Sequence, residues 1–269
     1  MSKLYTLALI FILISCDSRR IVSNDDTIFV DYDKEQIFDW NNTILIKSVV
    51  SLETADDCVL SYARKCLVSG KYIVYHDEKQ KAIFVFDEEG TFLYVIDAVG
   101  GGPDEYTEIK DMAISCDKEF ILVLDNNSVV SFDLKNGRFQ DRISLPQDIA
   151  SNFYRFANVD KQTFYFWSTE KENSLYLYEN GEMKVIEKRT GFPFVCQKFY
   201  YDSENSLNYI SDYGLFEIHG LEQEWVRKKY SFDFGYLNFS KSQMPKNVTE
   251  FEQVDDRRCR GGYYPPAVP

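Results

Sequence analysis

The 269-residue sequence is poor in the residues that build catalytic and metal centres. Its only histidines are His76 and His219, and it contains no Cys-x-x-Cys pair. A three-histidine zinc site and a cysteine-based zinc motif are therefore excluded within one chain. The sequence also offers no nucleophile elbow, no Ser-His-Asp set and no paired-carboxylate motif. These absences favour a protein that binds over one that catalyses.

Positive charge is scarce as well. The chain has 30 Lys and Arg against 43 Asp and Glu, a formal net charge of −13. The basic runs at residues 64–65 and 227–229 are short and flanked by acidic or apolar residues. Such an excess of negative charge repels phosphate backbones and anionic lipid surfaces. The composition argues against a nucleic-acid partner, and any link to a membrane must come from a lipid.

An uncharged apolar run occupies residues 4–14 at the N-terminus. As a helix it would rise only about 16 Å, too little to cross a hydrocarbon core of about 30 Å. The run ends in Leu13-Ile14-Ser15-Cys16, which resembles the bacterial lipobox. We predict a lipoprotein signal peptide over residues 1–16 with lipidation of Cys16, followed by a polar tether over residues 17–26. The alternative is a simple secretory signal that ends at an accidental cysteine.

Five cysteines remain after Cys16 is assigned to the lipid. An exported protein could form a disulfide, and Cys58 with Cys66 is the nearest pair in sequence. Single buried thiols that fill gaps between packed strands are the favoured alternative.

Aromatic residues, in contrast, are abundant at 16%, and they lie in short β-rich runs that repeat. Each repeat has one run, a turn, a second run, and then a glycine. The first repeat comprises residues 72–77 and 83–87 with Gly90 and Phe92, and the second comprises residues 120–125 and 129–133 with Gly137 and Phe139. The two glycines are 47 residues apart. A period of about 40–50 residues built from short strands is typical of a propeller blade.

Two looser repeats follow. One comprises residues 164–167 and 175–178 and turns at Asn180-Gly181, and the other comprises residues 207–211 and 215–218 and turns at His219-Gly220. No helical periodicity intervenes, so the sequence predicts an all-β protein. We predict a β-propeller over residues 27–245 with about four to five blades, and an irregular tail over residues 246–269. Separate sandwich domains are the alternative, but near-constant spacing favours radial blades.

Several segments resemble one family. Residues 50–57 (VSLETADD), 84–92 (FVFDEEGTF), 96–106 (IDAVGGGPDEY) and 229–235 (KYSFDFG) are similar to motifs of the six-bladed β-propeller lipoproteins of the Bacteroidota, relatives of NHL-repeat propellers. Asp97 and Asp104 stand where that family usually has glycine. The matched motif residues, to which the resemblance gives a structural role, are Leu52, Glu53, Thr54, Gly102, Pro103, Glu105 and Tyr106.

The resemblance also sets an expectation about length. Six blades of about 45 residues and a leader need more than about 300 residues, so we expect a relative shortened or frameshifted at its C-terminus. The ring would then be open, and the strand near Ile28 or Ile44, which closes the ring in the family, would lack its partner. A compact propeller with fewer blades is the alternative.

Two patterns are candidates for chemistry. Residues 100–103 (GGGP) lack the Gly-Lys-Ser/Thr ending of a phosphate-binding loop, so we predict a tight crossover between blades, with Glu105 bonded to backbone N–H groups and Tyr106 packed between blades. Asp77, Asp125 and Asp212 each follow what we take as an inner strand. They cap turns in the favoured interpretation, and in the alternative their carboxylates converge on calcium.

The sequence therefore indicates a membrane-anchored lipoprotein of the cell envelope, in the cell membrane or outer membrane. Residues 17–20 lack the acidic cluster associated with surface export, which favours the periplasmic face. We expect a non-enzymatic binding or scaffolding module for a protein or glycan partner. The alternatives are a metal-dependent propeller hydrolase or lyase and a truncated product without independent function. The residues with flat faces for a sugar, which inter-blade packing explains equally well, are Trp40, Trp167, Trp225, Tyr200, Tyr201, Tyr263 and Tyr264.

Overall fold

The computed structural model describes residues 27–30, 45–235, 238, 244, 245, 247, 249–251 and 253. Within these residues the chain forms seventeen strands, a helix of four residues between two of the blades, and a helical stretch near its end. Blade 1 comprises β2 (Ala63–Ser69), β3 (Tyr72–Asp77), β4 (Ala82–Asp87) and β5 (Phe92–Ile96), and blade 2 comprises β6 (Asp111–Ile114), β7 (Phe120–Leu124), β8 (Ser128–Asp133) and β9 (Phe139–Ser144). After the helix α1 (Gln147–Ala150), blade 3 comprises β10 (Phe153–Asp160), β11 (Thr163–Ser168), β12 (Asn173–Glu179) and β13 (Glu182–Lys188). Blade 4 comprises β14 (Phe199–Tyr201), β15 (Leu207–Ile210), β16 (Glu217–Glu222) and β17 (Trp225–Asp233), and β1 (Thr27–Phe29) precedes all four blades.

Each blade is a four-stranded antiparallel sheet whose strands pair in chain order. The first strands of consecutive blades, β2, β6, β10 and β14, contact one another along the centre. This arrangement is a β-propeller, and the predicted fold class is confirmed, with four blades in the described part of the chain. The β-rich runs of the sequence repeats are the second and third strands of the blades.

The second and third strands are nearly continuously apolar because both faces of each blade are covered. In β4, for example, the residues from Ala82 to Phe86 are all buried. Three buried clusters fill the wedges between consecutive blades and contain most of the buried aromatic residues. In the wedge between blades 2 and 3, the rings of Phe153 and Phe166 stack with centroids 4.9 Å apart. Aromatic pairs of this kind add roughly 0.5–1.5 kcal/mol to the burial of their area.

The repeat spacing reflects one recurrent turn. Gly90, Gly137 and Gly181 lie between the third and fourth strands of blades 1 to 3, with φ of 90°, 70° and 90°. In blade 4 the same turn contains Gln223, with φ of 53°. The predicted turn at His219-Gly220 is therefore wrong, because both residues lie inside β16. The sequence pattern misleads here because a residue other than glycine adopts the left-handed conformation.

The N-terminal strand β1 adds to the outer edge of blade 4. It runs parallel to β17, with Ile28 opposite Phe232, and the amide of Val30 donates to the carbonyl of Asp233 at 2.8 Å. The expectation that the strand near Ile28 lacks a partner is thus wrong, since the outermost strand of blade 4 provides one. Residues 45–46, the described part of the second candidate, are not in a strand.

Residues 51–60, which we call the cover segment, lie on the face of blade 1 that points away from blade 2. Leu52 and Leu60 pack with the buried Cys58 against Phe84 and Phe86. Two hydrogen bonds fix the segment to blade 1: the Glu53 amide donates to the Gly90 carbonyl at 2.8 Å, and Oε2 of Glu53 accepts from the Phe92 amide at 2.8 Å. This end of the propeller is therefore closed by the chain itself.

At the other end of the array, part of the predicted tail packs on the protein. Residues 249–251 are helical, and Phe251 stacks on Phe192 with centroids 4.8 Å apart and lies 5.1 Å from the ring of Tyr213. The expectation of an irregular segment over residues 246–269 is wrong for these three residues, because an aromatic cluster at blade 4 accepts Phe251. Cys16 and residues 17–26 lie outside the described part of the chain. Within that part, no helix combines the length and the apolar character needed to cross a membrane.

Candidate functional site

The inner strands of all four blades face a common cleft of about 650 Å³ at the centre of the propeller. This volume is within the range of about 300–1,000 Å³ that is usual for ligand pockets. Residues of β2, β6, β10 and β14 supply half of the lining, joined among others by residues of the loop after β14 and of the β16–β17 turn. The cleft is the place in the fold where side chains of all four blades meet solvent.

The inner strands are less buried than the second and third strands of the blades. In β2, exposed positions alternate with half-buried ones and only Ser69 is buried, and Val68 is 71% exposed at the cleft wall. One edge of each inner strand pairs with its own blade, and the other edge faces the cleft. Free strand edges and exposed side chains make this surface accessible to a partner.

Two of the four charged residues that line the cleft are paired within the protein. Nζ of Lys65 lies 2.7 Å from Oδ1 of Asp111, and Nζ of Lys229 lies 2.9 Å from Oδ2 of Asp202. The hydrogen bond from Lys229, together with backbone N–H groups, holds the pKa of Asp202 well below its usual range. The other two charged lining residues, Lys118 and Glu222, have opposite signs, so the cleft does not present a field of a single sign.

Apolar side chains form the larger part of the remaining cleft surface, and neutral polar groups lie among them. Asn158 links two inner strands: its Oδ1 accepts from the Cys116 amide at 2.9 Å, and its carbonyl accepts from the Tyr201 hydroxyl at 2.6 Å. Tyr201 is 47% exposed, so part of its ring faces the solvent of the cleft. Gln197 and Asn205 add two further amide side chains to the lining. Amides beside an aromatic face suit a neutral partner rich in hydroxyl or peptide groups.

The aspartates predicted as turn caps or calcium ligands follow the second strand of a blade, one strand further out than the sequence analysis assumed. Asp77 is buried, and its Oδ2 accepts from the amides of Ser61 and Tyr62 at 2.5 and 2.8 Å. Asp125 likewise accepts from the amide and hydroxyl of Thr107, at 3.2 and 2.6 Å. Each carboxylate thus fastens the loop that leads into the first strand of its own blade. Burial alone would raise the pKa of Asp77, but the amide donors lower it.

Asp212 has different partners. It accepts from the indole N–H of Trp167 at 2.8 Å and from the guanidinium of Arg189 at 2.5 Å, and it lies 3.5 Å from Nζ of Lys198. All four side chains are buried at the junction of blades 3 and 4. The structure therefore places the three aspartates in three separate environments and does not bring them together. Among the described residues, no three His, Cys, Asp or Glu side chains are grouped closely enough to hold a metal ion.

The Gly-Gly-Gly-Pro segment forms the crossover from blade 1 to blade 2, as the sequence analysis expects. Oε2 of Glu105 accepts from the amide of Gly102 at 2.7 Å. A Cβ at Gly100 would lie 1.9 Å from the same oxygen, so a larger residue there would displace the carboxylate. The fully buried Tyr106 packs between the two blades and donates to the carbonyl of Lys81 at 2.8 Å. The segment has a structural role in joining the blades.

The structure also locates the two aspartates in the Gly-Pro segment, the cysteines and the tryptophans that the sequence analysis singles out. Asp97 and Asp104 do not adopt positive φ, so aspartate at these positions causes no backbone strain. Of the four described cysteines, all are free, but only Cys58 is buried, and Cys66 and Cys116 are exposed. The favoured expectation of buried thiols is therefore wrong for these two, because they lie on inner strands or loops that line open surface. Trp167 is buried between blades, whereas Trp225 is 69% exposed.

Of the two histidines, His219 is the one whose pKa is raised. It is buried in β16 between the carboxylates of Glu217, at 3.1 Å, and Glu187 of blade 3, at 3.6 Å. Burial alone would lower the pKa of His219, but the two carboxylates raise it to about 9. A charged histidine therefore links blades 3 and 4 at neutral pH. His76, by contrast, is buried near the end of β3, and burial lowers its pKa.

Sequence reasoning missed the polar residues of the cleft and the buried ion pairs of Asp212. Asn158, Gln197 and Lys198 stand outside any recognisable motif. Asn158 bonds to Cys116 and Tyr201, 42 and 43 residues away, and Asp212 bonds to Lys198 and Trp167, 14 and 45 residues away. No local pattern could have identified them.

Two solved structures are similar to this chain in fold. The chain aligns with a "Putative exported protein" from Bacteroides fragilis at 14% identity and a TM-score of 0.63, over 86% of this chain and 65% of the other. It also aligns with a member of the DUF4221 family from Bacteroides vulgatus at 15% identity and a TM-score of 0.51, over 77% of this chain and 67% of the other. The chain thus spans about two thirds of the length of these structures.

No curated protein matches the sequence. A family profile, described as a domain of unknown function, matches residues 25–263. This range includes all four blades and most of the chain. The protein therefore belongs to the DUF4934 family.

Proposed function

We propose that this protein is a lipid-anchored binding module of the cell envelope that holds a neutral glycan or polypeptide segment in its central cleft. The observation that carries the proposal is the cleft of about 650 Å³, to which all four blades contribute. Two of its four charged lining residues are held in ion pairs, and its neutral polar lining includes amide side chains and an exposed tyrosine ring. Such a surface offers directional hydrogen bonds and one stacking face without selecting for charge.

The proposed location rests on two supports. Residues 1–16 have the composition of a lipoprotein signal, with Cys16 at the position that is acylated. A structurally similar protein from B. fragilis is named as exported. Anchoring through acyl chains on Cys16, with the propeller on the periplasmic side, is consistent with a net charge that disfavours direct contact with anionic lipids.

A relationship to six-bladed propellers is part of the proposal. Four blades align with about two thirds of each Bacteroides structure. Blades of equal size would then number about six over the full length of those structures, as a propeller built from one repeated unit requires.

Site-specific crosslinking tests the cleft. A photoreactive residue placed at Val68, in the cleft, should give a crosslinked product in intact cells, because this position is exposed and central. The matched control is Val185, which is 48% exposed on the outer strand of blade 3. Equal products at both positions, or none at Val68, would contradict a partner in the cleft. Glycosidase treatment of the product distinguishes a glycan from a polypeptide.

Fractionation tests the anchor separately. Cys16→Ser should move the protein from the membrane fraction to the soluble fraction, because acylation needs the thiol. Protease added to intact cells should leave the anchored protein uncut if it faces the periplasm. Membrane retention of the Cys16→Ser variant would contradict the lipid anchor and leave the test of the cleft unaffected.

A further inference from the structure

The sequence contains two Asn-Gly pairs, Asn136-Gly137 and Asn180-Gly181, and they occupy the same place in consecutive blades. Each pair lies in the turn between the third and fourth strands, one in blade 2 and the other in blade 3. The dipeptide suits such turns because both residues tolerate positive φ. Since the two pairs are chemically identical, a difference in their reactivity must come from the structure around them.

An Asn-Gly pair can react with itself, because glycine has no Cβ to hinder the approach of its backbone to the asparagine side chain. The backbone nitrogen of the glycine forms a bond to Cγ of the asparagine, and the bond from Cγ to Nδ2 breaks. Ammonia leaves, and a succinimide ring remains. Water then opens the ring at either carbonyl, to give aspartate or isoaspartate. The reaction consumes only water, but it requires a glycine amide and an asparagine side chain that are both free to move.

In the blade 3 turn both groups are free. Asn180 is exposed, and among the described residues its side chain makes no hydrogen bond. The amide of Gly181 likewise donates to no acceptor in the described part of the chain. A Cβ at Gly181 would meet no atom within 4 Å, so the neighbouring atoms leave space for the ring. The amide of Asn180 donates to the carbonyl of Gln162 at 3.2 Å, which restrains neither reacting group.

In the blade 2 turn the same groups are held in place. The amide of Gly137 donates to the carbonyl of Asp133 at 2.8 Å. Oδ1 of Asn136 accepts from the amide of Arg138 at 2.9 Å. A Cβ at Gly137 would lie 2.7 Å from the ring of Tyr94, so this turn packs closely against blade 1. Ring closure at Asn136 would have to break both hydrogen bonds and move the turn away from the tyrosine.

From this contrast we propose that Asn180 is a site of spontaneous deamidation in the folded protein, whereas Asn136 is protected. The product places a new carboxylate between Glu179 and Glu182, which already lie opposite each other in the pairing of β12 with β13. The isoaspartate form also adds one atom to the backbone of this two-residue turn. Both changes weaken the hairpin at the outer edge of blade 3.

The nearest cation offsets the new charge only in part. Nζ of Lys184 lies 3.9 Å from Oε2 of Glu179 and 2.6 Å from Oε1 of Glu224. Its stronger contact is therefore with blade 4, and the turn keeps an excess of negative charge after deamidation.

Peptide mass spectrometry of the purified protein during incubation in mildly alkaline buffer tests the proposal, because base removes the proton of the attacking amide. We expect deamidation at Asn180 to be at least about tenfold faster than at Asn136, a difference of about 1.4 kcal/mol in activation free energy. Labelling by an isoaspartyl methyltransferase should detect isoaspartate at position 180. Equal rates at the two sites, a slower rate at Asn180, or aspartate without isoaspartate would overturn the proposal.

The same protein unfolded in concentrated urea is the matched control. Unfolding removes the hydrogen bonds of the blade 2 turn, so Asn136 and Asn180 should then react at similar rates. If Asn180 keeps its advantage in urea, neighbouring residues in the sequence cause the difference, and protection by the folded turn is refuted.

Tyr94→Ala tests the source of the protection. This variant removes the ring that packs on Gly137, and it should accelerate deamidation at Asn136 while the rate at Asn180 stays unchanged. An unchanged rate at Asn136 in the folded variant would contradict the protective role of the ring. If Tyr94→Ala shows no cooperative thermal transition, the comparison of the two sites in the native protein still decides the outcome.

Discussion

The two ends of the four-blade array present opposite surfaces. On blade 1, the aromatic side chains of Phe84 and Phe86 are buried beneath the cover segment, residues 51–60. On blade 4, the corresponding outward face keeps a cavity of about 360 Å³ lined by Phe216, Ile218 and Phe232, which are only half-buried. Both faces are apolar, as each face of an inner blade must be to pack on its neighbour.

The difference shows that apolar composition alone does not decide whether a blade face is closed. The second and third strands of blades 1 and 4 are both apolar. The face of blade 1 is closed by a loop segment, residues 51–60, which is less apolar than the strands it covers. That segment contains one thiol, two leucines and several acidic residues. A face closed in this way contributes to stability, whereas an open face is available for binding.

The two faces should differ most in how much stability is lost when an aliphatic or aromatic side chain is removed. Phe86→Ala should lower the free energy of unfolding by about 3–5 kcal/mol, because Phe86 is fully buried beneath the cover segment. Ile218→Ala, on the open face, should cost less, since part of the side chain already contacts solvent. Urea denaturation of both variants measures the difference. Equal losses would mean that the two faces are equally closed.

The junction of blades 3 and 4 should weaken in alkali. The pKa of His219 is raised to about 9 from an unfolded value of about 6.5, so its stabilising contribution is complete below pH 6.5 and is lost as the pH rises through 9. The loss amounts to at most about 3 kcal/mol, from 1.36 kcal/mol per pKa unit. Thermal melting of the native protein and of His219→Gln between pH 6 and pH 10 measures it. Parallel pH profiles would exclude this role of His219.

Glycine substitutions isolate the contribution of the cover segment. Gly90 and Gly181 both have φ of 90°, but a Cβ at Gly90 would lie 2.2 Å from the carbonyl oxygen of Ser51, whereas a Cβ at Gly181 would meet no atom within 4 Å. Gly181→Ala should therefore lower the free energy of unfolding by about 1 kcal/mol, through backbone strain alone. Gly90→Ala should lower it by about 1–2 kcal/mol more, because of the added clash. Differential calorimetry measures both. If the two variants melt together, the cover segment does not contact the β4–β5 turn.

The loop that leads into blade 1 should loosen in Asp77→Asn. We expect the free energy of unfolding to fall by about 1–3 kcal/mol, because the amides of Ser61 and Tyr62 would lose a charged acceptor. Since the pKa of Asp77 is lowered, its contribution is present above about pH 4 and lost as the pH falls through the folded value, so the variant should show a flatter acid transition. Calcium should leave the melting temperature unchanged in both proteins. A calcium-dependent rise that Asp77→Asn abolishes would instead support a metal at this aspartate.

The smallest effect is expected at the hydrogen bond between Glu53 and the amide of Phe92, at 2.8 Å. Glu53 is exposed, so Glu53→Gln should cost at most about 1 kcal/mol. Hydrogen exchange at the Phe92 amide is the sensitive measurement, and it should accelerate in the variant. Unchanged protection would show that the backbone bond from Glu53 to Gly90 alone holds the segment.

The extent of sequence-based prediction differs between the blades. Blades 1 to 3 follow the repeat of Gly90, Gly137 and Gly181, because a tight turn with positive φ strongly selects glycine. In blade 4, Gln223 adopts the same conformation although it is not a glycine, so the glycine pattern predicts the turn too early in the chain. The inner strands were not identified individually, because strands such as β2 mix polar and apolar residues along an exposed edge.

For the sites, local pattern was informative only where a short segment closes on itself. The bond of Glu105 to Gly102 spans three residues and could be anticipated. The cluster of Asp212 with Arg189 and Lys198 joins three separate segments, and nothing near any of them in sequence indicates the others. The cleft likewise depends on side chains from four blades.

The sequence by itself determined the fold class, the blade period and the acidic, histidine-poor character of the protein, because strand periodicity, turn chemistry and charge are local or additive properties. Only the tertiary structure decided which apolar face is covered, which strands line the cleft and which buried cations share a carboxylate. Those outcomes depend on contacts between residues far apart in the chain, where packing geometry rather than local preference selects the partner.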